Sequence, residues 1–319
     1  MTTYIIRRVL WAIVILIMLT LLVFFSMRLL PGDPIIIYVG QSQGLIGMDP
    51  EALDKLRAEF GLDKPIMMQY FNWVGGIFRG DLGKSVTYNE DVGKLLAKRF
   101  PKTIYIGAVT FVIATILGTA SGMFAALRRG KWADQIFTPL SYIGITIPIF
   151  WLGVLMIYAF GLKLHWLPTS GYTSPFDDFW LSTRQLIMPV VCLAVTQIAM
   201  LSRQMRSSVL EVVRQDYIRT AWSKGLSERL IVLKHMLKNS LIPVITLTGF
   251  AIGAIFGGSV LIESVFNIPG IGRLMVTSIF AQDYVVVQSC TLIFAVIVLV
   301  TNLLVDMSYG WLDPRIRYG

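Results

Sequence analysis

The sequence predicts an all-α integral membrane protein with six transmembrane helices and a small helical lobe on one face. Three observations predict it. Of 319 residues, 55% are hydrophobic and 15% charged, against about a quarter charged in soluble domains. Six apolar runs approach the ~20 residues needed to cross a bilayer. Lysine and arginine are also distributed very unevenly among the connecting segments. The formal net charge of +9 therefore reads as topology rather than as phosphate contacts, and no nucleic-acid partner is expected.

The predicted spans are Val9–Met27, Thr103–Ala126, Phe137–Leu162, Leu186–Met205, Leu241–Phe266 and Val285–Met307. The first is long enough to span and no small-residue cleavage site follows it, so it reads as an anchor and not a cleaved signal. The third contains Thr146-Ile-Pro148, where proline interrupts the helical hydrogen-bond ladder and marks a kink. The fourth is the most polar, with Gln197, Ser202 and Arg203. The fifth carries Gly249, Gly253 and Gly257 at a small-xxx-small spacing that favours close helix packing. Thr146, Pro148, Gly253, Gly257 and Glu263, which lies near the end of the fifth span, are the candidates for lining a path. Cys192 and Cys290 sit in apolar runs and read as small buried hydrophobes.

Orientation follows from the short loops. Fifteen basic residues fall in one set of segments: Arg7 and Arg8, the 128–131 loop, Arg203 to Lys238, and Arg315 and Arg317. Only Lys163, Arg184 and Arg273 fall in the opposite set. This bias predicts both termini and the 206–240 segment in the cytoplasm. The long 31–102 segment is then outside, with nine basic and nine acidic residues. Its first helix is predicted to start at Asp49-Pro-Glu51, to present Leu53, Leu56 and Phe60 on one face, and to end at Gly61. A second covers Ile66–Phe78, with Met67, Tyr70, Phe71 and Val74 on its apolar side. Four segments result: an N-terminal helix (1–30), an outer lobe (31–102), a core (103–308) and a tail (309–319).

Catalytic and cofactor motifs are missing. Gly80-Asp-Leu-Gly-Lys-Ser85 resembles the end of a phosphate-binding loop, but the required first glycine is Phe78 and no strand leads in. The two histidines, His165 and His235, fall on opposite sides of the membrane, and no HExxH, CxxC or GxSxG occurs. No metal or other cofactor is expected on this chain, and it is not expected to be an enzyme. Charges lie near span ends, where snorkelling is inexpensive, and not along a central relay. That argues against a stand-alone channel or secondary carrier.

The segment between the fourth and fifth spans is the candidate functional element. Residues 207–224 are predicted helical and Gly225 stops that helix. Ser227 can cap a second one with Leu230, Leu233 and Leu237 on its apolar side. Small residues at the corner (Ala221, Ser223, Gly225) could enter a groove on a soluble partner; the competing reading is an amphipathic helix lying on anionic lipid.

Asp216-Tyr-Ile-Arg-Thr-Ala-Trp-Ser-Lys-Gly225 resembles the ATPase-coupling "EAA" loop of binding-protein-dependent ABC importer permeases, in the form found in the dipeptide/oligopeptide/nickel family. Leu30-Pro-Gly-Asp-Pro34 is similar to that family's LPGDP signature. Gly61-Leu-Asp-Lys-Pro65, Gly80-Asp-Leu-Gly83, Phe266 to Gly272, Asp283-Tyr-Val285 and Asp313-Pro-Arg-Ile-Arg317 follow in the family's order. The resemblance implies a B-type permease of the type I ABC importer class in the bacterial inner membrane. It implies a homologous C-type permease, two ATPase subunits or domains that hold ATP and Mg²⁺, and an extracytoplasmic binding protein. Peptides are the implied cargo, with nickel complexes, glutathione and oligosaccharides as alternatives. The coupling residues it implies are Asp216, Tyr217, Arg219, Thr220, Ala221, Lys224 and Gly225; Asp33 and Asp81 are candidates for a binding-protein contact or outer gate. Arg219, Thr220 and Trp222 depart from the usual pattern, and Val285 replaces a frequent proline.

Overall fold

A computed structural model describes residues 2–29, 50–59 and 61–312. Eleven helices are defined among them. They are α1 (Thr2–Arg28), α2 (Pro50–Glu59), α3 (Ile66–Phe78), α4 (Val92–Leu127) and α5 (Trp132–Thr146). Next come α6 (Ile149–Met156, running on as a π-helix through Ile157–Lys163), α7 (Phe179–Val212) and α8 (Asp216–Ser223). The last are α9 (Glu228–Val265), α10 (Ile271–Phe280) and α11 (Tyr284–Leu312). The one strand-like pairing among the described residues is an isolated antiparallel bridge between Lys84 and Asp91. Five helices are long and apolar enough to cross a membrane, and the pair α5–α6 makes a sixth span if counted together.

That sixth span is broken, not merely kinked. The two halves meet at 103°. Ile147 takes an extended conformation (φ −69°, ψ 124°), which is what a residue before proline favours. Several spans are longer than the hydropathy suggested, among them the fifth, which runs on from Glu228. The second begins at Val92 and carries Pro101 inside it. The fourth begins at Phe179, where the Asp178 carboxylate accepts the Leu181 amide at 2.9 Å, a side-chain cap the apolar pattern does not reveal. Helix α10, between the fifth and sixth spans, is an element the sequence reading omitted.

The chain divides into two compact units. The first holds residues 104–268 and those from 300 onward. In it α7 packs along α5 and α9. Ile106, Met188, Cys192, Ile262 and Phe266 form one buried core, and Leu201, Met205, Val209 and Val244 a second. Close approach depends on glycines. A Cβ at Gly122 would lie 2.3 Å from the Ser202 carbonyl oxygen, and one at Gly118 would lie 2.8 Å from Leu201 Cβ. This Gly-xxx-Gly pair seats α4 on α7. On α9 the predicted glycine stripe does not act as one seam. Gly249 meets Val305, whereas Gly257 faces open space.

The second unit holds residues 2–103 and 269–299. Val92, Leu95, Leu96, Ile271, Leu274, Val286 and Cys290 form its core. Helix α3 packs on α1 through Phe24, which stacks on Trp73 and meets Tyr70 edge-on; Thr20 bonds the Tyr70 hydroxyl at 3.1 Å. Met67 and Phe71, expected on the apolar side, are more than half exposed. The face turned to α1 therefore runs through buried Tyr70 and half-buried Trp73. The side chains of Leu53, Leu56 and Phe60 lie outside the described residues. The glycine-lysine-serine stretch that mimicked a phosphate loop has a structural role. Ser85 is buried and donates to the Asp283 carboxylate, which also accepts the Thr87 amide at 3.0 Å and stands at the start of α11.

Candidate functional site

The predicted helix over 207–224 is two helices. Helix α7 ends at Val212, the chain turns through Val213–Gln215, and α8 starts at Asp216. Helix α8 has only eight residues, too few to persist alone in water. It is held by Ile218 and Ala221, which pack on Ile231 and Met236 of α9 with Val212, Leu226 and Val232 around them. Ile218, Ala221, Ile231 and Met236 are all buried. Sequence reading placed the second helix's apolar side on Leu230, Leu233 and Leu237, but Leu230 and Leu233 are exposed. The π-helical turn Ile231–Met236 adds a residue per turn and rotates the buried stripe onto Ile231 and Met236. That irregularity leaves no trace in a regular 3.6-residue pattern.

With that face buried, the opposite face of α8 is presented outward. Asp216, Tyr217, Arg219, Thr220, Trp222, Ser223, Lys224 and Gly225 are exposed. The hydroxyls of Thr220 and Ser223 donate to carbonyls of their own helix, at 2.9 and 3.0 Å. Asp216 and Arg219 lie 3.6 Å apart, both largely in solvent, and such a pair contributes little. Tyr217 is fixed by the Asn239 amide, which donates to its hydroxyl at 2.9 Å. Gly225 ends α8 with φ +71°, a conformation that residues bearing a Cβ adopt at a cost. Its amide donates to the Trp222 carbonyl at 2.9 Å. Ser227 precedes α9 as expected, but its hydroxyl makes no cap; its carbonyl accepts the Leu230 and Ile231 amides.

Six of the seven residues singled out in this segment thus lie on the exposed face. Ala221 does not. Its small side chain serves packing against α9, not entry into a partner. The exposed Trp222, noted in the sequence only as a departure, is the largest apolar group on that face.

The base of this element is fixed to α5. The Arg206 guanidinium donates to both oxygens of Asp134, from Nε at 2.6 Å and Nη2 at 3.0 Å. Asp134 also accepts the Gly130 amide and the Thr138 hydroxyl. Such a two-pronged pair fixes direction as well as distance. It ties the 128–131 turn to the last turns of α7, ahead of the Val213–Gln215 turn that leads into α8.

The other candidates are dispersed. Thr146 is exposed and its hydroxyl bonds its own helix. Pro148 begins α6 at the break. Gly253 is half-buried and Gly257 open. Glu263 is fully buried near the end of α9. Asp81 is exposed and accepts the Gly83 amide at 2.9 Å. Asp33 lies outside the described residues. Among the described residues no three histidine, cysteine or acidic side chains converge as a metal site.

Fold and site together define a multi-span helical membrane protein with a compact, polar two-helix corner between its fourth and fifth spans. The chain belongs to the binding-protein-dependent transport system inner membrane component family, whose description matches residues 118–318; the family's N-terminal region matches residues 1–107. It is therefore a membrane component of an ABC importer. A peptide transport system permease protein of Brucella abortus is 40% identical over 321 residues, covering all of both chains. A peptide ABC transporter permease of Sinorhizobium fredii is 37% identical over 318 residues, again over the whole of both. The glutathione transport system permease of Escherichia coli shares 37% over the same span. In fold, the chain resembles a solved chain of the MetNI methionine ABC transporter in an inward-facing conformation. The TM-score is 0.54 at 18% identity, covering 69% of this chain and 96% of that one.

Proposed function

We propose that this chain is the B-type half of a two-permease pathway that imports di- and oligopeptides across a bacterial inner membrane. The observation that carries the coupling half of the proposal is the exposed face of α8, held on a short apolar cluster and anchored at its base by Asp134 and Arg206. A surface so arranged transmits a push. It is braced on α9, and α7 just before it is tied to α5. Asp216, Tyr217, Arg219, Thr220, Lys224 and Gly225 contact an ATPase subunit in this account, and Ala221 supports them from behind.

ATP and Mg²⁺ are held by the two ATPase subunits or domains; this chain supplies no catalytic group. ATP-driven closure of the ATPases favours one permease conformation because α8 binds their closed form more tightly. The same contact then drives the spans between inward and outward openings. A homologous second permease completes the path, and a binding protein delivers cargo to the outer face, with both termini of this chain in the cytoplasm. The outer lobe is the platform or plug on that face.

Peptide cargo is supported by the names of relatives matched over the full chain. Glutathione, itself a modified tripeptide, is the second reading, supported by a relative of equal coverage. Reconstitution with the partner permease, ATPases and binding protein tests both. ATP-dependent uptake of labelled dipeptides or longer peptides is expected. Uptake of glutathione alone would select the second reading, and uptake without ATP would refute the importer mechanism.

A further inference from the structure

We propose a phospholipid site in the first unit, between α4, α5 and α7, specific for an anionic headgroup. A groove of about 800 Å³ runs between these helices, lined by Leu117, Phe124, Leu140, Ile143, Val195 and Ile198. Leu117, Leu140 and Ile143 are each about half exposed, so the groove opens sideways. Two of its three hydroxyls are satisfied within their own helices. Ser121 donates to the Gly118 carbonyl and Ser141 to the Phe137 carbonyl. The lining therefore presents hydrocarbon, and in a membrane an acyl chain satisfies it.

The groove is not uniformly apolar along its length. It shares Phe137, Ser141 and Ser202 with a smaller, polar cavity lined by Arg203 and Arg206. Arg203 lies over the Tyr142 ring, 5.5 Å from its centroid, and Arg128 lies 4.9 Å from the centroid of Phe124, itself a groove residue. Arg203 and Arg206 thus line the polar end and Arg128 stands against the Phe124 wall of the groove, while the nearby carboxylate, Asp134, is taken by Arg206. Among the described residues Arg203 and Arg128 have no acidic partner. From Val195 to Ser202 the groove runs about 10 Å along α7, inside the ~15 Å hydrocarbon depth of one leaflet.

An acyl chain in the groove puts a phosphate at the level of Arg203. Basic pockets between membrane helices recognise anionic headgroups in this way. A helix of the second permease would fill the groove but leave the arginines unanswered; a phospholipid answers both features. Each arginine without a carboxylate contributes about fivefold to the preference for an anionic over a neutral lipid.

The test uses the assembled importer purified from a bilayer of equal phosphatidylglycerol and phosphatidylcholine, with retained lipid read by native mass spectrometry. The expected result is phosphatidylglycerol retained over phosphatidylcholine by tenfold or more. Arg203→Gln lowers that ratio about fivefold, and Arg203→Lys preserves most of it. Ala120→Phe, which fills the groove from its exposed α4 wall, abolishes retention of either lipid. The ratio within each variant is independent of how much complex assembles. Equal retention of the two lipids, no retained lipid, or an Arg203→Gln ratio like the parent's would overturn the proposal. So would cross-linking of Leu140→Cys to the second permease, which makes the groove a subunit interface.

Discussion

Three replacements of Gly225 separate the shape of the coupling corner from its occupancy by a partner. Gly225 holds φ +71°, and a Cβ added there meets nothing within 4 Å. Alanine therefore introduces backbone strain and no internal clash, a cost of about 1–2 kcal/mol. At 1.4 kcal/mol per factor of ten, the formed corner becomes some five- to thirtyfold less populated relative to alternatives. Asparagine tolerates the left-handed region better and costs less. Tryptophan has the same backbone strain as alanine, so any further loss arises from a partner that cannot accommodate the ring. The assay is substrate-stimulated ATP hydrolysis by the importer in lipid nanodiscs, with membrane insertion checked separately. The expected order is parent, asparagine, alanine, tryptophan, with the last near the unstimulated rate. If tryptophan performed like alanine, the corner would not enter a groove, and the reasoning would fail.

Other predictions follow the same contacts. Asp134→Ala strips the Gly130 amide, the Thr138 hydroxyl and Arg206 of their shared acceptor. It should destabilise by about 2–3 kcal/mol, and a double-mutant cycle with Arg206→Ala in thermal unfolding should show a coupling above 0.5 kcal/mol. Gly122→Ala forces a methyl against the Ser202 carbonyl at 2.3 Å, so unfolding in detergent should show a loss of about 1–3 kcal/mol, whereas Gly257→Ala, in open space, should be silent. Ile218→Ala empties a fully buried position beneath α8. A local loss of about 2–4 kcal/mol should appear as faster amide exchange across 216–226 and weaker ATPase stimulation, with the spans unchanged. Ser85→Ala leaves the buried Asp283 carboxylate one donor short, at about 1–3 kcal/mol.

Much of the fold was legible because a bilayer enforces length and hydropathy. Helix α3 falls on Ile66–Phe78 as periodicity indicated, and Gly61 and Gly225 both mark ends with positive φ. The features that escaped detection are those where one side chain or one extra residue overrides a smooth pattern. The Asp178 cap extends α7 by two turns before its hydrophobic part. At Pro148 a kink was legible but its size was not, since the two helices meet at 103°. The π-turn at Ile231–Met236 shifts the buried stripe away from the leucines. Tertiary pairings such as Asp134 with Arg206 and Ser85 with Asp283 join residues 72 and 198 positions apart, beyond any local rule. The exposed corner itself was visible as a motif, but not that Ala221 turns inward while Trp222 faces out.

The central claim is that the outward face of α8 docks on an ATPase subunit, and solvent access to Trp222 tests it most directly. Trp222→Cys places a thiol on that face, and the native Cys192 and Cys290 are buried, so background labelling is low. The rate of maleimide modification is compared for the permease pair alone and for the complete importer. Strong protection by the ATPase is expected, with a change in rate when ATP is added. Equal modification in both preparations would contradict it.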